Sequence, residues 1–238
     1  MKSIAINSSA AAVAAILFSA CTPSSGKPSA ETKAETSAAA ASPAARTDPR
    51  TDSLVALADR GRIEGSPSAK VWLVIVSDFQ CPYCKQSHDS TFEQIRNEYV
   101  RTGKIKVAYV NFPLNSHQHA WPSAHSAMCA SEQGKFWPYA DALFATQEKW
   151  AAMQSPAALF DSLAQAQNLN MKEWRECVSS ERMAGLIRSD RDRGVEAGVN
   201  STPSFLVGDK GLAGVHPIED FRKLLDPAIA AAAGPQGQ

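Results

Sequence analysis

Cys81-Pro82-Tyr83-Cys84 brings two thiols close together, directly after the apolar run Val71-Trp72-Leu73-Val74-Ile75-Val76 and directly before a stretch with helical periodicity. Cysteines at that spacing have two chemistries open to them, a reversible disulfide or half of a metal site. A continuous apolar run is the mark of a strand buried on both faces. The chain therefore leaves a central strand near Ser77 and enters a helix near Cys81. At a helix N-terminus, unpaired N–H groups and the positive end of the dipole stabilise a thiolate. Cys84 falls one turn on, within bonding reach, and Pro82 suits the first turn because its missing N–H would have had no partner there. Structural zinc wants four Cys or His ligands, usually as two such pairs, and only one pair is present, so redox chemistry is preferred and no metal is assigned. The alternative is a metal-handling site that adds His88, one turn beyond Cys84, or His117, His119 and His125 from another segment.

The elements that must position this pair follow from periodicity. After the first strand comes a helix with Phe92, Ile95 and Tyr99 on one face, then Ile105-Lys106-Val107-Ala108-Tyr109-Val110 as a second strand. Strand, helix, strand implies a right-handed parallel unit. From about residue 120 to 194 the pattern is helical, with Pro122, Pro138 and Pro156 read as breaks, and with Phe136, Trp137, Leu143 and Phe144 spaced to pack these helices on the sheet. Phe205-Leu206-Val207 and Leu212-Ala213, joined by Gly208-Asp209-Lys210-Gly211, read as a hairpin, and a last helix starts near Pro217 and buries Ile218, Phe221 and Leu225. The fold class is α/β: a mixed sheet with an all-helical insertion, about residues 115–195, between a βαβ unit and a C-terminal ββα unit.

The chain has 238 residues, 44% of them hydrophobic, and 24 basic residues balance 24 acidic ones. One folded domain, residues 51–238, accommodates the core-forming part, and the even charge argues against nucleic acid as a partner. The first residues have targeting character: Met1-Lys2 is a short positive region, Ala10 to Phe18 an apolar stretch, and Ser19-Ala20 places small residues before Cys21. The apolar stretch falls short of the about 20 residues needed to span a bilayer. Residues 1–20 are thus read as a signal peptide. Residues 21–50, rich in Ala, Ser, Thr and Pro, cannot bury enough apolar surface to offset their ordering entropy. They are read as a tether, with a reach of roughly 30 Å for a flexible coil of that length.

Asp78-Phe79-Gln80-Cys81-Pro82-Tyr83-Cys84 resembles the active-site segment of the DsbA-like thiol:disulfide oxidoreductases of the thioredoxin superfamily. Two further stretches are similar to that family in the same order: Cys129-Ala130-Ser131-Glu132-Gln133-Gly134-Lys135-Phe136-Trp137, and Gly198-Val199-Asn200-Ser201-Thr202-Pro203-Ser204-Phe205. The resemblance runs from about Ile63 to Asp226 and implies a thioredoxin-like sheet. It also implies Cys81 and Cys84 as the catalytic pair, with no cofactor beyond their disulfide, and Pro203 as a cis proline facing them. Thr202 and Pro203 would then form a ledge for an extended substrate chain. Ser201 stands where the family usually has glycine, and Ile75 where some relatives carry an acidic residue. The segment Leu17-Phe18-Ser19-Ala20-Cys21 resembles the lipobox of bacterial lipoproteins, which implies lipidation of Cys21 and a membrane-anchored, extracytoplasmic domain facing the periplasm or the cell surface. Thr22, not being aspartate, favours the outer membrane where there is one. An ordinary cleaved signal peptide is the alternative.

The resemblance further implies exported, cysteine-containing proteins as substrates and a membrane quinone-linked oxidase as the reoxidising partner. The chain is expected to act as a monomer, and since no separate dimerisation domain of the isomerase kind is visible, oxidation is preferred over isomerisation. With Cys21 lipidated and Cys81 paired to Cys84, the two left of five cysteines are Cys129 and Cys177. They are expected to form a structural disulfide, the alternative being two buried free thiols. Asp78 is read as a hydrogen-bonding residue of the strand-to-helix turn, with proton transfer to or from Cys84 as its other possible role. Direction of exchange is a separate matter. Lowering a thiol pKa from about 8.5 to about 4.5 stabilises the reduced pair at pH 7 by roughly 3.4 kcal/mol, about 75 mV. That is half of the about 150 mV between thioredoxin and DsbA. Tyr83 supplies no cationic neighbour, so a less extreme oxidant is expected than one with histidine there.

Overall fold

The computed structural model describes residues 49–234. The signal segment 1–20, Cys21 and the tether lie outside the described residues, except that 49 and 50, assigned to the tether, open the helix α1 (Pro49–Gly61). Five strands form one sheet in the order β1-β3-β2-β4-β5. They are β1 (Ile63–Gly65), β2 (Val71–Ser77), β3 (Ile105–Asn111), β4 (Ser204–Val207) and β5 (Lys210–Ala213). β2 and β3 are parallel, and the other neighbours are antiparallel. The sheet is therefore mixed, and the helical segment is inserted between β3 and β4, as expected from periodicity.

Neither α1 nor β1 was anticipated. A three-residue edge strand has no period to read, and its place is decided by pairing with β3, Ile63 opposite Ala108 and Glu64 opposite Val107. Gly65 closes it at φ +115, where a Cβ would stand 2.6 Å from the Ile105 carbonyl oxygen, so glycine is required.

The β2–β3 register sets the core. Val71 faces Ile105, Leu73 faces Val107 and Ile75 faces Tyr109, all six buried on one face. Against that face lies α2, residues 82–100, which starts as α-helix over Pro82–Ser87 and widens into π-helical turns at His88–Phe92 and Arg96–Val100. Phe92, Ile95 and Tyr99 share its buried side. Beside them is α9 (Ile218–Ala233), which buries Ile218, Phe221 and Leu225.

The insertion comprises α3 (Ala120–Ser131), α4 (Phe136–Ala145), α5 (Gln147–Ala151), α6 (Ala157–Ala166), α7 (Met171–Ser180) and α8 (Ala184–Glu196). The prolines read as breaks do not end helices. Pro122 and Pro138 sit in the first turns of α3 and α4, and Pro156 caps α6. A missing N–H costs nothing in a first turn, where donors have no intrahelical acceptor. The actual break between α3 and α4 is Gly134, at φ +67. Cys129 and Cys177 are bonded to each other and join α3 to α7 across 48 residues, a loop closure worth up to about 4 kcal/mol in the chain-entropy model.

On the opposite face of the sheet, α8 packs on a smaller cluster of Val76, Phe112 and Val199. Its Asp190, fully buried, accepts hydrogen bonds from the backbone N–H of Asn111 at 3.2 Å and from Asn111 Nδ2 at 2.9 Å, and pairs with the Arg62 guanidinium. The helix comes this close because Gly194 has no side chain: a Cβ there would stand 2.8 Å from the Phe112 ring. Gly194→Leu is expected to destabilise the fold by about 1–3 kcal/mol through overpacking, read as a lower urea midpoint with an unchanged m-value.

Candidate active site

The loop after β2 carries the site. Cys81 caps α2 with extended backbone angles, φ −69 and ψ 123, and Pro82 takes the first helical position. Cys81 N–H donates to the Asp78 carbonyl at 3.1 Å, and Lys85 N–H donates to the Cys81 carbonyl at 3.1 Å. Both cysteines are free thiols in this structure.

The peptide bond between Thr202 and Pro203 is cis, and it enters β4 directly before Ser204, which pairs with Val76 of β2. That pairing carries the proline loop to the cysteines. The Cys81 thiol donates to the Thr202 carbonyl at 3.5 Å, and Pro203 lines a small cavity together with Cys84. Cys81 is only 3% exposed, because the Thr202–Pro203 loop lies over it. The exposed members of the motif are Pro82 and Tyr83, the latter at 63%.

The two sulfurs are set far apart in acidity. Cys81 is brought down to about 6, first because the Cys84 thiol hydrogen-bonds to it, with the Thr202 side chain and the N–H groups of Cys84 and Tyr83 adding to the effect. Burial pushes Cys84 well above its ordinary value, and the neighbouring Cys81 sulfur pushes it further. Of the two, Cys81 is the sulfur whose anion its surroundings favour, and Cys84 the hidden one whose anion they disfavour.

Asp78 is the hub of the loop. Its carboxylate is buried, with Oδ1 accepting from Gln80 N–H at 2.7 Å and Oδ2 from Leu114 N–H at 2.9 Å, and His117 Nδ1 lies 2.8 Å from Oδ2. Asp78 N–H donates to Cys84 Sγ at 3.5 Å. With its oxygens so committed, Asp78 organises the turn, and it fastens the segment after β3 as well.

The histidines of the alternative metal site are each engaged within the fold. His117 is held on Asp78, and His119 is buried, its N–H donating to Gln80 Oε1 at 2.6 Å and its Nε2 lying 2.7 Å from the Met153 carbonyl. His88 Nε2 lies 2.9 Å from Asp141 Oδ1 and its Nδ1 3.2 Å from Asp89 Oδ1. His125 is largely buried in α3, which lowers its pKa. The one cluster of ligand atoms spaced for a metal among the described residues is Cys129, Glu132 and Cys177. Its sulfurs are consumed by the disulfide.

Sequence reasoning missed Gln147. From α5 its Nε2 donates to the carbonyls of Phe79 at 2.6 Å and of Cys81 at 3.0 Å, gripping the loop from the insertion side. An isolated glutamine in a helical stretch carries no signal of this. Behind the loop, Phe79 stacks on Tyr109 with centroids 4.9 Å apart and packs on Phe144 at 5.1 Å, so the insertion and the sheet meet under the cysteines.

A family model described as thioredoxin matches residues 58–227. BdbD of Bacillus subtilis superposes with a TM-score of 0.66 at 20% identity, over 72% of this chain and 94% of that one. The Wolbachia pipientis protein alpha-DsbA1 does so with a TM-score of 0.65 at 21% identity, over 72% and 92%. In sequence, disulfide bond formation protein D of Bacillus subtilis is 23% identical over 73% of this chain and 82% of its own length. The chain is a DsbA-like member of the thioredoxin superfamily. This DsbA-like chain is also 31% identical, over 73% of its length, to a protein of Salinispora tropica named Na(+)/H(+) antiporter NhaA 3, but it spans only 26% of that protein. The antiporter's transport activity is therefore not carried over.

Two outcomes follow from this geometry. Thiolate absorbance of the reduced protein should rise with an apparent pKa of about 6, against 9.0 for an ordinary cysteine. Since the folded value is the lower one, the stability it gives the reduced form is complete above the unfolded value and declines as the pH falls towards about 6. Chemical denaturation of the reduced and oxidised proteins between those pH values would read it. Gln147→Leu should cost about 1–3 kcal/mol by leaving the buried Phe79 carbonyl without its donor and the Cys81 carbonyl with Lys85 N–H alone, measured by the same denaturation.

Proposed function

We propose that this chain is an extracytoplasmic thiol:disulfide oxidoreductase that introduces disulfides into exported proteins through its Cys81–Cys84 pair. The observation that carries the reading is the placement of the acidic Cys81 sulfur 3.5 Å from the carbonyl of Thr202, next to the cis Pro203 and one helical turn before a buried, high-pKa Cys84. A client thiolate attacks Cys81 Sγ of the oxidised pair, a client–Cys81 bond forms, and the electron pair of the broken disulfide goes to Cys84, which takes up a proton. A second client thiolate then attacks the client sulfur and expels Cys81 as the thiolate. The client leaves oxidised, and the dithiol remains. Thr202 and Pro203 offer the ledge along which an extended client segment lies. The redox group is the cysteine pair itself, without a further cofactor.

The oxidase direction is supported by the acidity of Cys81 and by the relatives named for disulfide bond formation. At pH 7, a pKa near 6 against 9.0 favours the dithiol by about tenfold, about 30 mV, a smaller bias than the about 75 mV of a thiol at about 4.5. A moderate oxidant is the reading that fits. Reoxidation falls to a membrane quinone-linked oxidase. Anchoring falls to lipidation at Cys21 with 21–48 as the tether, and no described helix is long and apolar enough to cross a membrane. The domain acts as a monomer. A reductase or isomerase of the same fold is the second reading. A metal-handling role is not favoured, since the rings of His88, His117 and His119 are occupied by protein oxygens.

Equilibration of the pair with glutathione tests the direction. The expected potential lies between about −120 mV and about −250 mV. A value at the upper end would contradict a moderate oxidant, and one below the lower end would sink the oxidase reading in favour of a reductase. Cys81→Ser should abolish oxidation of a reduced client protein, while Cys84→Ser should retain attack by Cys81 on a disulfide and accumulate a mixed disulfide visible by mass.

A further inference from the structure

Cys84 borders a cavity that the exchange chemistry above does not use. About 20 Å³ in volume, it is lined by Cys84, Ser77, Tyr109, Trp137, Phe144 and Pro203 among others. A single water needs roughly 10–15 Å³ on that measure, together with polar partners. Two lining residues carry candidate partners: Tyr109 Oη and Trp137 Nε1 are buried and find no hydrogen-bond partner of normal geometry among the described residues, with the Ser77 hydroxyl close enough to act on the ionisation of Tyr109. Leaving both unsatisfied would cost about 1–3 kcal/mol each. A water in the cavity would satisfy them.

The chemistry needs a proton carrier at this place. Cys84 is only 2% exposed, and an unprotonated thiolate left there when the disulfide breaks is costly. The ionisable groups around it do not serve. Ile75, on the adjacent strand, has none, and Asp78 has its oxygens committed to Gln80, Leu114 and His117. His88 lines the cavity with its ring, but both nitrogens face Asp89 and Asp141. Cys81 is the other member of the pair. What remains beside Cys84 are the hydroxyls of Ser77 and Tyr109, both close enough to affect ionisation at the site.

We propose that Tyr109 is a positioning residue for the exchange reaction: its hydroxyl, with the Trp137 N–H, holds one buried water against Cys84 that carries the proton to and from that sulfur. The inference rests on the proposed oxidoreductase function. As the Cys81–Cys84 bond breaks, the electron pair settles on Cys84 Sγ and the water delivers a proton to it, being resupplied from bulk past the partly exposed Trp137 and His88. In the reverse direction, Cys84 Sγ–H gives its proton to the water as the sulfur attacks Cys81 and expels the client thiolate. Tyr109 itself stays neutral throughout, because burial lifts its pKa well above the ordinary value.

Tyr109→Phe removes only the hydroxyl and keeps the stack on Phe79. The full-length oxidised protein would be mixed with reduced glutathione, and reduction followed by acid quench and alkylation across the pH range. The expected result is a rate at least about tenfold lower than wild type, a changed pH profile and a diminished solvent deuterium isotope effect, with the Cys81 thiolate titration unmoved. Trp137→Phe should give a smaller loss of the same kind, and stands in should the tyrosine variant not fold. A wild-type rate and pH profile in Tyr109→Phe would overturn the inference. So would a slowed variant whose Cys81 titration shifts in step, because that is the mark of a merely structural role. Absence of exchange in the wild-type protein would overturn the proposed function instead.

Discussion

The position of β2, hydrogen-bonded along both edges, is the constraint on which the site depends. Its parallel pairing with β3 ends both strands at the same level, Ser77 opposite Asn111. Its antiparallel pairing with β4, Val76 opposite Ser204, makes the proline loop arrive at that level from the other side. Three loops that are distant in sequence are thereby forced together: residues 78–81, the segment around Leu114 and His117, and Thr202–Pro203. The reacting centre sits outside the carboxyl ends of the parallel strands, where an open α/β sheet leaves a crevice. Asp78 then works as a rivet, because a buried carboxylate with several N–H donors loses a large free energy if any of them moves away.

Within that frame, the sulfurs differ because their surroundings do. Cys81 sits where a helix begins, with donors aimed at it, whereas Cys84 has turned one position into the core and meets mostly apolar walls. The same small rotation around the helix axis that separates the two residues separates a stabilised anion from a disfavoured one. The insertion contributes in the same economy of contacts. Gln147 holds the loop carbonyls, and Phe144 with Phe136 backs Phe79, so the helices added to the sheet stiffen the ground on which the cysteines stand.

Much of this was legible in the sequence. The apolar run of β2 and the alternation of β3 are strong periodic signals, and the family resemblance carried by Cys-Pro-Tyr-Cys and the later Thr-Pro implies thiol exchange. What was not legible is what tertiary pairing decides. β1 is too short to have a period. Pro122 and Pro138 look like breakers until one knows that each lies in a first helical turn. The partners of His117 and His119 are equally hidden: the β2–β3 register brings Asp78 to the one, and the helical insertion brings Met153 to the other. The covering of Cys81 depends on a loop more than a hundred positions away, which nothing local in the motif announces.

Tyr83 stands open to solvent beside a sulfur that is almost wholly covered. On the proposed reading, a ring so placed acts as a filter on the shape of what arrives. A compact surface stops against the phenol, while a pliable strand can slip past it and lie along Thr202.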